Sequence, residues 1–572
     1  MGSATGLETA RGPGRDGGAP LRLNGDGKMA DEIAQLIQRP VGSASIRAPG
    51  FTFEGCPGEG YQGDSGPPVP GWILVKSHKR AEPSAGVETS ARVLRRLQRS
   101  WAAVLALRLA DAHDHITAVE WEVSELSFEK AAHLHAELNL IRGAIHAIRD
   151  EPAASLAVAR RGLAEPGLHG VVATALCRLA YWRQRDFEGL RQLPVARMPA
   201  AGTRRGVLPA VLDLSVEAAV AFEELRFPLA KRLAWDALYV AEKAFGRNTP
   251  VAGLAAATAA HLALEEGRLE EAERLVSERV TGIRAQGDIE SAIRVYDVLA
   301  RVAHAAGRQV VAARVLEDGA ALGDRRNWPR LVAGCTLTKL ELLLQQRRLD
   351  EANQCVVRLD QLASYPAAGD HVAHDDLRRV SLQGRAQFER VAAPSQRVAA
   401  VYRHLKGDAL ARRDLRQAVQ HTVSLAGLLA ELGDWENALT TLAEVTAFGA
   451  SVGLFHTLAQ GGASVQALLL DLSAQDTRME TRLYIQTLLT QDHADALARN
   501  YGRRAARNES PISEREESIL RLVSEGLVNK RIAQALGISP ETVKSHIKNI
   551  FAKLSVATRA EAVRRARTLG LI

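Results

Sequence analysis

The chain has 572 residues, which at about 100 to 200 residues per domain predicts three or four domains or one long repeat array. Apolar residues make up 46% and charged residues 24%, a balance that excludes disorder throughout the chain. Aromatic residues contribute only 5%, whereas the helix formers Ala, Leu, Arg and Glu are abundant. We therefore predict an all-α protein.

Charged residues interrupt every long apolar stretch before about 18 residues, so we expect no transmembrane helix. The N-terminus has no apolar segment of the secretory type, and a cytoplasmic protein is expected. Cys56, Cys177, Cys335 and Cys355 form no Cys-x-x-Cys pair. We interpret them as reduced structural thiols and expect no metal site and no cofactor.

The first 92 residues are predicted to be a disordered segment, because positions 1–90 hold 17 Gly and 9 Pro without a sustained period. The Gly-rich stretch that ends at Lys28 is not a phosphate-binding loop, since Arg22 and Met29 replace the required Gly and hydroxyl residue. An incorrectly assigned start of the chain would equally explain this segment.

An internal repeat begins near Val93 and predicts an α-solenoid over residues 93–496. In EEGRLEEAERL a turn glycine, Gly267, is followed five residues later by a small residue. Gly307 and Arg347 occupy the same position in two further copies of this pattern, at intervals of forty residues. Looser copies place turns at His113, Arg149, Arg185, Leu225 and Gly433, with a degenerate copy near Arg390. Each unit is predicted to be a helical hairpin, although an unrelated helical bundle is the alternative.

Six tryptophans fall inside this array, and aromatic residues at helical spacing are core residues more often than ligand contacts. The six are Trp101, Trp121, Trp182, Trp235, Trp328 and Trp435. Residues 95–490 resemble the tetratricopeptide-like helical domain of the large MalT-like LuxR-family regulators. The resemblance implies a groove that takes an effector ligand or a protein partner. The ATPase module of those regulators has no counterpart in the sequence, so we expect no enzyme activity.

The C-terminal part is predicted to be a basic four-helix module, residues 511–572, that follows a polar linker at 497–510. Eleven basic and six acidic residues lie in the module, a net charge of +5 out of +7 for the chain, which predicts a polyanionic partner. A solvated basic face is the alternative. The predicted caps are Ser513 with Glu516, Asn529, Ser539 with Pro540, and Thr558, and the predicted stops are Gly526 and Gly537.

Apolar residues at helical spacing give each predicted helix an inward face. They are Ile519, Leu520 and Leu522, then Ile532, Ala533 and Leu536, then Val543, Ile547, Ile550 and Leu554, then Ala562, Val563 and Ala566. The second and third helices form a helix-turn-helix, and Lys544, Ser545 and Lys548 lie on the outer side of the third, where lysine can reach guanine or phosphate.

The stretches SEREESIL, EGLVNKRIAQAL and ISPETVKSHIKNIFAKLSVATRAEAV resemble the LuxR-type DNA-binding domain of bacterial transcription regulators. The resemblance implies base contacts from Lys544, Ser545 and Lys548. It implies phosphate contacts from Asn529, Lys530, Arg531 and Thr542. It also implies dimer packing through Ala562, Val563 and Ala566. The sequence departs from the family at Ser518, Arg531 and Val528, and the added charge of Arg531 is predicted to strengthen phosphate binding.

The predicted function is therefore a transcription regulator that binds double-stranded DNA as a homodimer under control of the helical repeats. An unknown effector is expected on the solenoid, RNA polymerase is a further candidate partner, and no membrane is expected. Two other classes stay open. One is an α-solenoid scaffold whose helix-turn-helix docks a protein, and the other is an enzyme with a site assembled from distant residues.

Overall fold

The computed structural model describes residues 85–124, 128–194, 206–364, 371–475, 478–489, 514–524, 527–536, 538–554, 558–559 and 562–563. Every regular element in these ranges is a helix, which confirms the predicted all-α fold. The linker at 497–510 and residues 1–84 lie outside the described residues. The first helix begins at Ala85, inside the segment predicted to be disordered, and the array is described as far as Leu489. The domain boundaries stay predictions.

Helices follow one another along the repeat array with short turns between them. The first part contains α1 (Ala85–Leu105), α2 (Leu109–Val123), α3 (Phe128–Ile148), α4 (Pro152–Ala159), α5 (Leu168–Gln184), α6 (Phe187–Gln192), α7 (Val207–Glu223), α8 (Phe227–Phe245), α9 (Gly253–Glu265), α10 (Leu269–Ser277) and α11 (Val280–Gln286). The second contains α12 (Ile289–Ala305), α13 (Gln309–Arg326), α14 (Pro329–Gln345), α15 (Leu349–Ser364), α16 (His371–Ala392), α17 (Gln396–Ala411), α18 (Leu415–Glu431), α19 (Trp435–Val452), α20 (Phe455–Ala459), α21 (Ala463–Gln475) and α22 (Met479–Leu489).

The same turn joins the two helices of successive hairpins. Between α12 and α13, Gly307 adopts a left-handed φ of 75° and its N–H donates to the carbonyl oxygen of His304 at 2.9 Å. The N–H of Arg308 then donates to the carbonyl oxygen of Ala303 at 2.8 Å. This pair of bonds is the Schellman motif, which satisfies the last carbonyl groups of a helix and turns the chain back.

Most predicted anchors of the repeat are these left-handed turns. The confirmed anchors are Arg185, Leu225, Gly267, Gly307, Arg347 and Gly433. The small residue five positions later packs in the core, as at Ala272, Ala312 and Ala352, each at most 1% exposed. This close packing confirms the predicted solenoid of helical hairpins.

Three anchors were predicted at the wrong residue. His113 lies inside α2, and the left-handed turn is at Leu107. The second turn is at Asp150, one residue after the predicted Arg149. The copy predicted near Arg390 does not form a turn there, because Arg390 lies in the last turn of α16 and the left-handed residue is Arg413. Non-glycine residues at these turns gave no signal in the sequence, since L residues rarely adopt positive φ.

The array coils back on itself, so that helices about 190 residues apart in sequence touch. Trp328 Nε1 donates to the carbonyl oxygen of Ile148 at 2.8 Å, across 180 residues. Arg413 Nε donates to Glu224 Oε1 at 2.8 Å, across 189 residues. Apolar residues of α7, α8 and α9 accordingly share one core with residues of α17, α18 and α19. The solenoid is therefore a superhelix whose distant turns pack against each other.

A buried ion-pair network fastens the coil where its turns meet. Arg183 lies 3.0 Å from Glu290 and 2.9 Å from Asp376, and Arg330 lies 2.8 Å from Glu290 and 3.1 Å from Asp376. Burial raises the pKa of both carboxyls, but the arginines outweigh burial and hold the pKa of each below its ordinary value. Asp150 pairs with Arg330 at 2.9 Å, but there burial outweighs the arginines and raises the pKa of the carboxyl.

Tryptophans and cysteines test two further predictions. Trp182 and Trp328 are at most 2% exposed, whereas Trp121 is 71% exposed and Trp235 and Trp435 are also exposed. The prediction that the tryptophans are core residues is therefore wrong for these three, which lie on outward helix faces. Three cysteines are free and buried, and burial raises the pKa of each thiol, as expected for structural thiols. They are Cys177, Cys335 and Cys355, and Cys56 lies outside the described residues.

Candidate nucleic-acid interface

Three short helices of the C-terminal module pack around a small apolar core. They are α23 (Glu514–Ser524), α24 (Asn529–Leu536) and α25 (Pro540–Leu554). The predicted inward residues that the structure describes are buried or partly buried in this core. Fully buried are Ile519, Leu520, Ile532, Ala533, Val543, Ile550 and Ala562, and partly buried are Leu522, Leu536, Ile547 and Val563. The side chains of Leu554 and Ala566 lie outside the described residues.

The start of α25 is capped as predicted. Ser539 Oγ accepts a hydrogen bond from the backbone N–H of Thr542 at 3.0 Å, and Pro540 occupies the first helical position. The hydroxyl groups of Ser539 and Thr542 are a further 2.8 Å apart. The cap fixes the angle at which α25 leaves the turn, and it points the helix N-terminus outward with Thr542 exposed.

The outer face of α25 carries the residues that were predicted to contact bases. Lys544, Ser545 and Lys548 are exposed, while Val543 and Ile550 on the other side are buried. Lys544 Nζ lies 3.2 Å from Glu541 Oε1, and both side chains are more than two-thirds exposed. An exposed pair of this kind is worth about 0 to 1 kcal/mol, so Lys544 can leave it at little cost.

The start of α24 differs from the predicted cap. Asn529 is the first helical residue rather than the cap, and its Oδ1 accepts a hydrogen bond from Arg559 at 3.1 Å. Arg559 also donates to the carbonyl oxygen of Leu527 at 2.8 Å. The chain leading into α24 is thus held by a side chain thirty residues further on. Next to it, Lys530 and Arg531 are exposed on the first turn of the helix.

The residues predicted to form the dimer contact do not share one environment. Ala562 is fully buried in the core of its own module, and Val563 is partly buried against the same core. The backbone N–H of Ala562 donates to the carbonyl oxygen of Thr558 at 3.0 Å, a helical bond at the place of the predicted fourth helix. Ala566 lies outside the described residues. Dimer packing through this helix stays a prediction.

Sequence reasoning missed two charged residues of this module, Glu541 and Arg559. The spacing of Glu541 and Lys544 by three positions on a helix would have indicated their pairing. No such signal exists for Arg559, because its contacts with Asn529 and Leu527 join segments that only the fold brings together.

Sequence comparison accounts for this packed helix-turn-helix with its polar outer face. Residues 510–566 match the family model described as "Bacterial regulatory proteins, luxR family". The C-terminal segment is a LuxR-family helix-turn-helix domain. The match confirms the resemblance to the LuxR-type DNA-binding domain that was predicted for this segment.

Curated relatives match a short stretch of the chain. The chain is 41% identical over 85 residues to the "Putative HTH-type transcriptional regulator Mb0914c" of Mycobacterium bovis, covering 14% of this chain and 10% of that protein. It is 45% identical over 64 residues to the "HTH-type transcriptional regulator AlkS" of Alcanivorax borkumensis, covering 11% and 7%. It is 36% identical over 87 residues to the "HTH-type transcriptional regulator MalT" of Yersinia pestis, covering 15% and 9%. The match spans about a tenth of the length of these relatives.

Among solved structures, the chain is similar in fold to a protein with a longer matched length. It is the "Crystal Structure of Rap Protein Complexed with Competence and Sporulation Factor", with a TM-score of 0.48 and 13% identity, covering 64% of this chain and 99% of that chain.

Proposed function

We propose that this chain is a transcription regulator that binds promoter DNA through its LuxR-family domain, under control of the helical-repeat domain. The single observation that carries the proposal is the two-sided helix α25. Its inner face is locked into the core by Val543 and Ile550, and its outer face presents Lys544, Ser545 and Lys548. A helix held in this way can lie in the major groove with its polar side chains on base edges.

Phosphate contacts are proposed for the groups beside this helix. Lys530 and Arg531 are exposed cations on the first turn of α24, and Thr542 is an exposed hydroxyl on the first turn of α25. The N-terminus of a helix carries partial positive charge, which favours a phosphate there. Asn529 has its carbonyl oxygen engaged by Arg559, so its amide group is the part proposed to donate to phosphate.

A homodimer on DNA is proposed because one helix-turn-helix rarely contributes enough affinity alone. Ala562 supports such a dimer indirectly, by holding the last helix on the module, since it is itself buried there. The face that meets the second copy is proposed to include Val563 and Ala566. RNA polymerase and an effector bound to the repeat domain are the further partners of this proposal.

The proposal contains no catalytic step and places the protein in the cytoplasm, where bacterial DNA lies. The names of the matched relatives, all transcriptional regulators, support it. In the part of the chain that the structure describes, no helix is long and apolar enough to cross a membrane. Among the same residues, no group of three or more His, Cys, Asp or Glu is placed to hold a metal ion.

The experiment that tests the proposal is selection of bound duplexes from a random pool with the full-length protein. We expect an enriched, two-fold symmetric site whose half-sites lie about one helical turn apart. The double variant Lys544→Ala/Lys548→Ala should lose this enrichment, because each base-reading lysine contributes about 1 to 3 kcal/mol of discrimination.

The matched control is Lys231→Ala/Lys243→Ala, which removes two positive charges from α8 of the repeat domain and should leave the enriched site unchanged. A third variant, Lys530→Ala, should weaken binding to all duplexes alike without changing the preferred site. Enrichment that survives loss of both Lys544 and Lys548 would contradict the proposed reading helix. Absence of any enriched duplex with the folded protein would instead favour the scaffold, in which the helix-turn-helix docks a protein.

A further inference from the structure

The outer face of α8, in the repeat array, combines aromatic and basic side chains. Its inner face is buried in the array and consists of Leu233, Ala234, Ala237, Leu238 and Ala241. On the outer face Trp235 is 41% exposed and Tyr239 is 62% exposed. Arg232 and Lys243 are exposed at three and four residues from these rings. Residues at this spacing lie on the same side of a helix, so the four side chains form one stripe.

Cations outnumber carboxylates along this stripe. Positions 227–247 contain four basic and two acidic residues. The basic residues are Lys231, Arg232, Lys243 and Arg247, all exposed except Lys231, which is 44% exposed at its side chain and lies 3.4 Å from Glu266. Of the two carboxylates, Glu242 already contacts the buried Arg279, so Asp236 is the acidic side chain left on the outer face. The stripe therefore carries a positive charge.

Trp235 differs from the two other exposed tryptophans in the described part of the chain. Trp435 donates from Nε1 to Asp471 at 2.8 Å, so the array itself holds that ring in place. Trp121 lies between two glutamates in the sequence. Trp235 instead has a second exposed aromatic residue one turn away and a cation on either side of the pair. Single exposed apolar residues are common on protein surfaces, but aromatic and basic residues grouped in this way are typical of binding surfaces.

The contact between Lys243 and Tyr239 shows how the stripe can change on binding. Lys243 Nζ lies over the ring of Tyr239, 5.5 Å from its centre. Both side chains are exposed, and a cation–π contact is weak when water reaches it. A ligand that carries both an anionic group and a flat aromatic ring can replace this contact on both sides. Lys243 then contacts the anion, and the flat ring stacks on Tyr239.

Single-stranded nucleic acid is the polymer that fits both features of the stripe. Proteins bind it with cations along the phosphate backbone and with aromatic side chains on which successive bases stack. A duplex would satisfy the cations but not the rings, because its bases are already stacked on one another. An acidic protein segment would likewise pair with the cations, but its carboxylates offer no flat surface to Trp235 and Tyr239.

We propose that the outer face of α8 binds single-stranded DNA. Trp235 and Tyr239 stack on two of its bases, while Arg232 and Lys243 contact the phosphates on either side. The choice of DNA over RNA rests on the proposed function, because a chain held at a promoter by its LuxR-family domain meets the single strand that appears when the promoter opens. The site lies outside the LuxR-family domain and does not use its reading helix.

The test is titration of the full-length protein with a fluorescein-labelled oligothymidylate of about 20 nucleotides, followed by anisotropy. We expect saturable binding that Trp235→Ala/Tyr239→Ala weakens at least about tenfold, because both stacking surfaces are lost. Affinity for a duplex of the same length should stay unchanged in this variant. Arg232→Gln/Lys243→Gln should make the slope of log K against log salt shallower by about 1.4, since two phosphate contacts are lost.

Two further variants separate stacking from a general effect on the fold. Trp235→Phe/Tyr239→Phe keeps two flat rings and should retain most of the binding to oligothymidylate. Trp121→Ala is the matched control, because it removes a more exposed tryptophan that has no such basic stripe, and it should bind as the unaltered protein does. Equal binding by Trp235→Ala/Tyr239→Ala and the unaltered protein would overturn the site, as would an equal loss in Trp121→Ala.

Two competing polymers are measured with the same samples. Tighter binding of labelled poly-L-glutamate than of oligothymidylate would assign the face to an acidic protein and overturn the proposal. Tighter binding of oligouridylate would overturn the assignment to DNA. Lys544→Ala/Lys548→Ala should still bind oligothymidylate. Loss of that binding, together with full binding by Trp235→Ala/Tyr239→Ala, would place the single strand on the LuxR-family domain and overturn the α8 site.

Selection of duplexes separates this proposal from the proposed function. If a duplex is selected and oligothymidylate does not bind, the regulator function stands and the α8 site is refuted. If no duplex is selected but oligothymidylate binds through Trp235 and Tyr239, the α8 site stands and the regulator function falls. If Trp235→Ala/Tyr239→Ala selects the same duplex as the unaltered protein and loses only the single strand, both proposals stand.

Discussion

Arginines and lysines serve opposite purposes in the two parts of this chain. In the repeat array, Arg183 is buried and Arg330 is mostly buried between helices that are far apart in sequence, and each contacts several carboxylates. In the LuxR-family domain, Lys544 and Lys548 are exposed, and Lys544 contacts only a neighbouring exposed glutamate one turn away. A buried charge fixes the position of the helices around it, whereas an exposed one is free to move onto a polyanion.

The difference follows from the surroundings of the charge. Burial makes an ion costly to leave unpaired, so the array must keep its network complete to remain folded. Water and salt screen exposed charges, so the LuxR-family domain can change all of its polar contacts on binding DNA without losing its core. Substitutions in the two regions should therefore separate stability from binding.

The largest effect is expected for Arg183→Met, which removes one cation from the buried network. Glu290 and Asp376 would then lose one of the two arginines that they share, and breaking a buried pair from one side costs about 3 to 5 kcal/mol. Urea unfolding followed by circular dichroism measures the loss. Arg385→Met is the control, because its pair with Asp360 is half-exposed and should change stability by less than about 1 kcal/mol. Equal losses for the two variants would remove the distinction between buried and exposed charge.

A smaller effect is expected from acid, through a buried histidine. Burial, helped by nearby Arg412, lowers the pKa of His421 to about 4. Between this value and the ordinary pKa of about 6.5 the unfolded chain binds the extra proton, so stability is full above pH 6.5 and falls as the pH drops. The loss attributable to this residue is about 2 kcal/mol at pH 5.

His421→Gln isolates this contribution from the many carboxylates that titrate in the same range. Urea unfolding at pH 7.5 and at pH 5 should show that the variant loses about 2 kcal/mol less stability on acidification than the unaltered protein does. His113→Gln is the control, since His113 is exposed on α2, and it should lose as much as the unaltered protein. An identical loss in His421→Gln would mean that the histidine is not held neutral by burial.

How much of the molecule the sequence could predict depends on the distance over which contacts act. The hairpins with glycine turns, such as Gly267 and Gly307, and the caps at Ser539 and Pro540 were predicted because turns and caps act over a few residues. The closure of the superhelix was not predicted, because contacts such as Arg413 with Glu224 join residues 189 apart and leave no period in the sequence. The ion-pair network of Arg183 and Arg330, which depends on that closure, was missed for the same reason.

The hairpin turns give a pair of effects of about 1 kcal/mol and opposite sign. Gly307 and Arg347 occupy equivalent left-handed turns, with φ of 75° and 59°. A Cβ at Gly307 would meet nothing within 4 Å. Gly307→Ala should therefore cost only the strain of placing a residue with a Cβ at a left-handed φ, about 1 kcal/mol. Arg347→Gly should relieve the same term and stabilise by less than about 1 kcal/mol, because glycine also gains freedom in the unfolded chain. Thermal unfolding compares the two, and a loss in both would show that Arg347 makes a contact that offsets its backbone.

The smallest effect in free energy is expected on the surface of the LuxR-family domain, and salt reveals it better than affinity does. If Arg531 contacts a phosphate, Arg531→Gln releases one fewer counterion on binding, and the slope of log K against log salt should become shallower by about 0.9. Fluorescence anisotropy with the selected duplex between 50 and 200 mM salt measures this slope (about a two-fold to four-fold change in affinity over the range). Arg385→Gln, in the repeat array, should leave the slope unchanged. A slope that Arg531→Gln does not alter would place Arg531 away from the DNA backbone, and its exposure on the first turn of α24 would then serve solubility rather than binding.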